Sequence, residues 1–124
     1  MADRANVLLV DDDEQVRVAL SKVFKRAGYD SSAVASAEEA LTLIRKKPYD
    51  LVVADIVLGG MDGVELLGHI RESHDRTPVI LVTAYSKEEY EEQAKEKGAY
   101  AYLRKPISRE QLLETAEAAI SARK

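Results

Sequence analysis

The 124-residue sequence contains no cysteine and no tryptophan. Without cysteine the chain forms no disulfide and offers neither a thiolate nucleophile nor a thiolate ligand for zinc. This composition fits a reducing compartment without establishing one. The sequence also lacks any apolar run near the roughly 20 residues of a membrane-spanning helix. Because the first residues, Met1-Ala2-Asp3-Arg4, carry no signal-peptide core, we expect a cytoplasmic protein without a membrane segment.

A strong excess of charge of either sign is also missing. The chain has 18 Lys and Arg against 22 Asp and Glu, for a formal net charge of -4. Domains that bind nucleic acids favour basic faces, so the balance gives no support for direct nucleic-acid binding. The length suits one domain with a core of its own. We interpret residues 1–124 as a single domain, since no linker, repeat or low-complexity segment interrupts them.

Short apolar runs alternate with amphipathic segments along the chain. Val7–Val10, Leu51–Ala54 and Val79–Thr83 are apolar at successive positions, which is typical of parallel strands buried on both faces. Ser31–Ala35 and Ala101–Arg104 are weaker and are predicted to be edge strands. The alternation predicts a doubly wound, three-layer α/β fold with a five-stranded parallel sheet and five helices. The expected strand order is 2-1-3-4-5, which is flavodoxin-like.

Helix starts and stops are marked by short local patterns. Ser36, Ser86 and Ser108 are each followed three residues later by Glu or Gln. This spacing is the capping box, in which the two side chains satisfy free N–H groups at a helix start. Gly28 and Gly98 are predicted to end helices.

Polar residues stand at the ends of the predicted inner strands and of the last strand. They are Asp11, Asp12, Asp55, Thr83 and Lys105. In open parallel sheets, ligands bind outside the carboxyl ends of the strands. The sequence therefore predicts a functional site where these side chains meet.

The residue types at this edge indicate phosphoryl chemistry with a metal ion. Two carboxylates about 4 Å apart repel by roughly 4 kcal/mol at an effective dielectric of 20, so they need a proton or a cation between them. Oxygen ligands favour Mg²⁺ (or Mn²⁺) over zinc. Asp55 is the best-placed nucleophile for an acyl phosphate. The Lys105 ammonium and the Thr83 hydroxyl could contact phosphoryl oxygens, and the small Ala84 leaves room for the group.

Simpler structural interpretations remain open for several of these acids. Asp11 and Asp12 could cap the first helix, as aspartate often does. Asp13 is predicted to be a cap or a solvated residue. Asp62 is predicted to lie in a turn or at a helix start, and not to be a ligand.

Five motifs, in order along nearly the whole chain, resemble the receiver domain of two-component response regulators. The motifs are Val10-Asp11-Asp12-Asp13, Val53-Ala54-Asp55, Gly60-Met61-Asp62-Gly63, Val82-Thr83-Ala84 and Tyr102-Leu103-Arg104-Lys105-Pro106. The resemblance implies that Asp55 takes a phosphoryl group from a sensor histidine kinase or a phosphotransfer protein. It also implies that the fourth helix, fifth strand and fifth helix then switch to control an output. Such a domain is a signalling switch that catalyses only its own phosphorylation and dephosphorylation.

The resemblance also assigns roles to individual residues of the metal site. Asp12 and Asp55 would bind Mg²⁺ directly, together with the backbone carbonyl of Val57, and Asp11 would act mainly through a bound water.

In the same way, the resemblance implies a switch and a backbone geometry. Thr83 and Lys105 would contact the phosphoryl group, Tyr102 would change rotamer as Thr83 moves, and the Lys105–Pro106 bond would be cis.

Three positions depart from what the resemblance leads us to expect. Gly59 stands where the family usually has proline, so the loop after Asp55 is expected to be more mobile. Val57 and Tyr85 occupy positions that, in the family, influence how water reaches the acyl phosphate. We expect them to shield it and to slow dephosphorylation.

Two other functions compete with the switch. A phosphohydrolase with an aspartyl-phosphate intermediate would use the Asp-x-Asp of Asp11-Asp12-Asp13, but the following Gly-Thr typical of such enzymes is missing. A pseudo-receiver would bind partners without phosphorylation, which the full acidic set disfavours. The sequence leaves open whether the domain stands alone or belongs to a longer regulator, and a phosphorylation-dependent homodimer is compatible with the resemblance.

Overall fold

The computed structural model describes residues 4–73, 75–84 and 87–122. Within these ranges, five parallel strands form one sheet in the order β2-β1-β3-β4-β5, and helices cover both faces. The predicted doubly wound fold, strand order and five helices are confirmed. The elements are β1 (Asn6–Val10), α1 (Glu14–Arg26), β2 (Asp30–Val34), α2 (Ala37–Lys46), β3 (Leu51–Asp55), α3 (Gly63–Glu72), β4 (Val79–Thr83), α4 (Glu88–Glu96), β5 (Ala101–Arg104) and α5 (Arg109–Ala122).

Alternation of side chains along the inner strands divides the core into two layers. One set of strand residues packs against α2, α3 and α4, and the other set packs against α1 and α5. Apolar residues at successive positions are therefore all buried, as the uninterrupted runs predict. The first set is Leu8, Val10, Val52, Ala54, Val79 and Leu81, and the second is Val7, Leu9, Leu51, Val53, Ile80 and Val82.

The second strand lies one residue earlier than predicted. It spans Asp30–Val34 instead of Ser31–Ala35. The amide of Asp30 donates to the carbonyl of Ala5 at 2.9 Å, which joins it to the sheet. The amide of Ala35 instead donates to the Glu39 carboxylate at 2.9 Å. Ala35 therefore lies outside the strand and just before Ser36, the N-cap of α2, because the Glu39 side chain competes there with the strand ladder.

The serine half of the predicted capping box is confirmed at two helices. The Ser36 hydroxyl accepts from the Glu39 amide at 3.1 Å, and the Ser108 hydroxyl accepts from the Gln111 amide at 3.0 Å. Ser86 lies outside the described residues. Both halves of a capping box are present at α3, where Asp62 and Glu65 each accept from the other's amide.

Left-handed glycines end two helices as predicted. Gly28 has φ 93° and Gly98 has φ 87°, a conformation that glycine adopts without a Cβ clash. None of the helices within the described ranges has the length and apolar character needed to cross a bilayer.

Candidate functional site

The carboxyl ends of β1, β3, β4 and β5 meet at one edge of the sheet. Val10 pairs with Ala54, and Thr83 pairs with Arg104. The residues that follow these strands are therefore neighbours in space. This register confirms that the predicted strand-end residues share one edge.

Lys105 joins two aspartates at this edge. Its Nζ atom lies 2.9 Å from Asp55 Oδ2 and 3.4 Å from Asp11 Oδ2. Burial alone would lower the pKa of Lys105, but the hydrogen bond and charge of Asp55, together with Asp11, raise the pKa above its ordinary value. The lysine is therefore firmly protonated and offsets part of the charge of the carboxylates.

Asp11 is buried and engaged on several sides. Its Oδ1 accepts from the amide of Asp13 at 2.9 Å, and its backbone carbonyl accepts from the guanidinium of Arg17 at 2.8 Å. Burial raises the pKa of the Asp11 carboxyl; the charge of Asp55 also raises it, whereas the Asp13 amide and Lys105 oppose the shift. Asp11 thus holds a charge that folding partly removes from water.

Asp13, not Asp11, caps the first helix. Its carboxylate accepts from the amides of Gln15 at 2.8 Å and Val16 at 3.4 Å. The prediction of a cap at Asp13 is confirmed, and Asp11 and Asp12 are left for the site. Asp62 begins α3, also as predicted.

The backbone and side chain of Asp55 are both fixed. Its Oδ1 accepts from the amide of Val57 at 3.1 Å, while Oδ2 contacts the lysine. A Cβ built on Gly63 would lie 2.5 Å from the Asp55 carbonyl oxygen. Only glycine allows the start of α3 to approach β3 this closely.

The acidic residues surround a small cavity. A space of about 240 Å³ is lined by Asp11, Asp12, Asp13, Val16, Asp55, Val57, Ala84 and Lys105. Its carboxylate oxygens, with no histidine or cysteine, are the ligand type that Mg²⁺ prefers. Among the described residues, however, no three acidic, histidine or cysteine side chains are already arranged as a metal site. The donor types therefore fit Mg²⁺. Asp12 is exposed, however, and the ammonium of Lys105 lies between the other two acids, so the convergence of the three carboxylates on one ion stays a prediction.

A larger, mostly apolar cavity of about 550 Å³ adjoins the same residues. Val16 and Leu20 of α1 line one side, and Ile107 and Leu112 line the other. Asp55 and the lysine lie at its polar end. The Asp55 carboxylate therefore borders an apolar cleft between α1 and α5.

The two residues predicted to form the switch lie on adjacent strands. Thr83 is fully buried, and its carbonyl accepts from the amide of Lys105 at 2.8 Å. Neither cavity is lined by Thr83, whereas Ala84 lines both. Tyr102 packs, partly buried, against the core layer of α2, α3 and α4. The Lys105–Pro106 bond is cis, and Tyr85 lies outside the described residues.

Sequence reasoning missed two residues that contact the site's framework. Arg17 binds the Asp11 carbonyl six positions away in the chain. Glu38 accepts from the amide of Met61 across 23 positions. Neither spacing corresponds to a local pattern, so only the folded chain brings these groups together.

This sheet, with an acid–lysine centre at its carboxyl edge, defines an α/β domain of the flavodoxin-like class. The chain belongs to the response regulator receiver domain family, whose sequence profile matches residues 7–117.

Curated relatives include response regulator protein FleR of Pseudomonas aeruginosa, 42% identical over 110 residues, or 89% of this chain and 23% of that protein. Sporulation initiation phosphotransferase F of Bacillus subtilis is 35% identical over 82% of both chains. DNA-binding transcriptional regulator NtrC of Salmonella typhimurium is 35% identical over 95% of this chain and 25% of that protein. The chain thus spans about a quarter of FleR and NtrC.

Solved structures agree with this assignment. The receiver domain of the Francisella response regulator 1452 has a TM-score of 0.91 and 30% identity, covering 98% of this chain and 100% of that one. A CheY-like receiver domain protein from Methanospirillum hungatei has a TM-score of 0.93 and 29% identity, covering 97% and 96%.

Proposed function

We propose that this receiver domain accepts a phosphoryl group on Asp55 from a sensor histidine kinase or a phosphotransfer protein, with Mg²⁺ (or Mn²⁺) bound at the acidic cavity. The observation that carries the proposal is the contact of Lys105 with both Asp55 and Asp11 at the carboxyl edge of the sheet. A protonated lysine beside a carboxylate nucleophile is placed to neutralise charge on a transferring phosphoryl group. One relative is itself named a phosphotransferase, which supports a role in phosphate relay.

In the proposed transfer, an Asp55 carboxylate oxygen forms a bond to phosphorus as the phosphorus–nitrogen bond of a donor phosphohistidine breaks. The electron pair of that bond stays with the leaving imidazole. Lys105 neutralises charge on the phosphoryl oxygens, because its ammonium already lies 2.9 Å from the acceptor. Asp12, Asp55 and the carbonyl of Val57 would hold the ion, and Asp11 would act mainly through a bound water; the ion adds further charge neutralisation when bound.

Phosphorylation would redistribute the contacts of Lys105. A phosphoryl group adds charge and acceptor oxygens, which draw the lysine away from Asp11. The lysine amide is bonded to the Thr83 carbonyl, so the ends of β4 and β5 respond together. Thr83 would turn toward the phosphoryl group and Tyr102 would follow, changing the face of α4, β5 and α5.

The same face is where an output partner, or a second phosphorylated copy, would bind. The apolar cleft and α1 provide the side from which a kinase or phosphotransfer protein reaches Asp55. The domain does not turn over an external substrate in this proposal. DNA binding is part of the name of the relative NtrC, and we propose no DNA binding for this domain.

The proposal is tested by incubating the protein with Mg²⁺ and acetyl phosphate and measuring its intact mass. We expect a gain of one phosphoryl group that is lost in Asp55→Asn and without the metal. No gain with small donors or with histidine-phosphorylated proteins would favour a pseudo-receiver. Steady multiple turnover of a phosphomonoester would favour a phosphohydrolase.

A second measurement addresses the lifetime of the phosphate. Val57 is 42% exposed and lines the acidic cavity, a position from which an apolar side chain can hinder water. Replacing Val57 and Tyr85 together with small polar residues should speed hydrolysis. An unchanged phosphate half-life would contradict the shielding hypothesis.

A further inference from the structure

The loop between β3 and α3 is anchored at both ends. Ile56 is fully buried and its amide donates to the Val82 carbonyl at 3.2 Å. The Gly63 amide donates to the Ile56 carbonyl at 2.9 Å. Leu58 is also buried. The core therefore fixes the part of the loop next to Asp55.

The apex of the loop lies beyond these anchors. Gly59 and Gly60 are both exposed, and Gly60 adopts φ 109°. A Cβ built on Gly59 would have no neighbour within 4 Å. Two consecutive glycines have a wide choice of backbone conformations, so the core anchors alone do not define the apex.

Glu38, in the first turn of α2, reaches this apex. Its Oε2 accepts from the Met61 amide at 3.4 Å and lies 3.3 Å from the point that a Cβ on Gly60 would occupy. Gly60 thus leaves room for the carboxylate to approach the backbone. The neighbouring Glu39 instead accepts from the Ala35 amide at 2.9 Å, immediately before its own helix.

We propose that Glu38 is a positioning residue for cation binding beside Asp55. By holding the Met61 amide, it fixes the loop that carries Val57, which lines the acidic cavity and donates to Asp55. Glu38 acts through the loop and does not touch the phosphoryl group. The inference rests on the proposed function, in which the cation binds next to Asp55 and Val57.

Three variants of the unphosphorylated protein separate the hydrogen bond from charge and from helix stability. Glu38→Ala removes the acceptor, and Glu38→Gln keeps an acceptor oxygen but removes the charge. Glu39→Ala is the matched control, because it removes an exposed carboxylate and a backbone hydrogen bond in the same turn without touching the loop. Two quantities are measured by NMR: the Mg²⁺ dissociation constant, from shifts of the amides near Asp55, and the hydrogen-exchange rate of the Met61 amide.

We expect Glu38→Ala to raise the Mg²⁺ dissociation constant about three- to tenfold and the Met61 exchange rate by a similar factor, as loss of one net hydrogen bond implies. Glu38→Gln should stay within about twofold of wild type in both quantities, because it keeps an acceptor oxygen. Glu39→Ala should also stay within about twofold, because Glu39 shares no partner with the loop. Unchanged Mg²⁺ affinity in Glu38→Ala would overturn the inference, whether or not Met61 exchange changes. Equal losses in Glu39→Ala would overturn it as well.

Failure of the proposed function gives a different result. If wild-type protein binds no Mg²⁺, the metal site is refuted before any variant is compared, and the positioning role falls with it. If wild type binds Mg²⁺ and Glu38→Ala binds it equally tightly, the proposed metal site stands and only the role of Glu38 is refuted.

Discussion

The two helix starts beside the site are built very differently. α3 begins with the Asp62–Glu65 capping box and buries Gly63, Val64, Leu66, Leu67 and Ile70. The N-cap residue of α4, Lys87, makes no side-chain cap bond, and of the nine residues of α4, all of them described, only Ala94 is buried. Burial and capping are the main sources of helix stability. The α3 side, next to Asp55, is therefore held firmly, while the α4 side, which would carry the proposed switch, is held loosely.

Electrostatics follows the same division. The α4 side is joined to β5 by an ion pair between Glu91 and Arg104 at 3.5 Å, whose side chains are 34% and 58% exposed. Exposed pairs of this kind contribute little to stability. Burial raises the pKa of Tyr102 nearby, as does Glu91, and Arg104 opposes the shift. Small changes at the site can thus alter how α4 packs on β5, whereas the α3 side should resist them.

The largest effect is expected where the start of α3 lies closest to β3, at Gly63. Gly63→Ala places a Cβ 2.5 Å from the Asp55 carbonyl oxygen, so the backbone must shift. We expect a loss of about 2–3 kcal/mol in the free energy of unfolding, as for an overpacked core. Urea unfolding followed by far-ultraviolet circular dichroism measures it, because the chain has no tryptophan.

Gly59→Ala is the matched control for Gly63→Ala. A Cβ there meets nothing within 4 Å and φ lies outside the left-handed region. It should leave the unfolding free energy unchanged or raise it slightly, by up to about 1 kcal/mol. Equal unfolding midpoints for the two variants would show that α3 does not depend on this approach.

The second largest effect is expected at Asp11, whose buried charge reduces the stability of the folded protein; Asp11→Asn should remove this cost. The pKa of Asp11 is higher in the folded protein than in the unfolded chain, so folding favours the protonated carboxyl. The ionised form therefore reduces stability above that pKa, and the reduction disappears as pH falls through it. Without metal at pH 7, we expect Asp11→Asn to be more stable than wild type by roughly 0.5–2 kcal/mol.

Unfolding at several pH values in the presence of a chelator checks this expectation. The advantage of Asp11→Asn should shrink as pH is lowered toward the ordinary range of a carboxyl, because wild type then becomes neutral at this position. Asp12→Asn is the control, since Asp12 is exposed and should change stability less. A stabilisation that does not depend on pH would exclude the charge of Asp11 as its cause.

How far the sequence predicts these features depends on the range of the interaction. The strands, their order and the shared edge of Asp11, Asp55 and Lys105 follow from apolar periodicity and from the crossover rule. The sequence predicts a cap or a solvated residue at Asp13 but leaves Asp11 open between cap and site, and only the fold shows that Asp13 caps α1 while Asp11 contacts the lysine. Glu38 is beyond local reasoning, because its partner lies 23 positions away.

The smallest expected effect strengthens the loose side. Lys87 has the extended backbone of an N-cap, so Lys87→Ser would place a hydroxyl where it can accept from an amide in the first turn. Lys87→Ala is the control, because it also removes an unfavourable cation at a helix N-terminus but adds no cap. We expect amide hydrogen exchange in α4 to slow about two- to fivefold in Lys87→Ser relative to Lys87→Ala, with α3 unchanged. If amide hydrogen exchange in α4 is equally fast in the two variants, the missing cap does not destabilise α4, and the small buried surface of α4 is left as the cause.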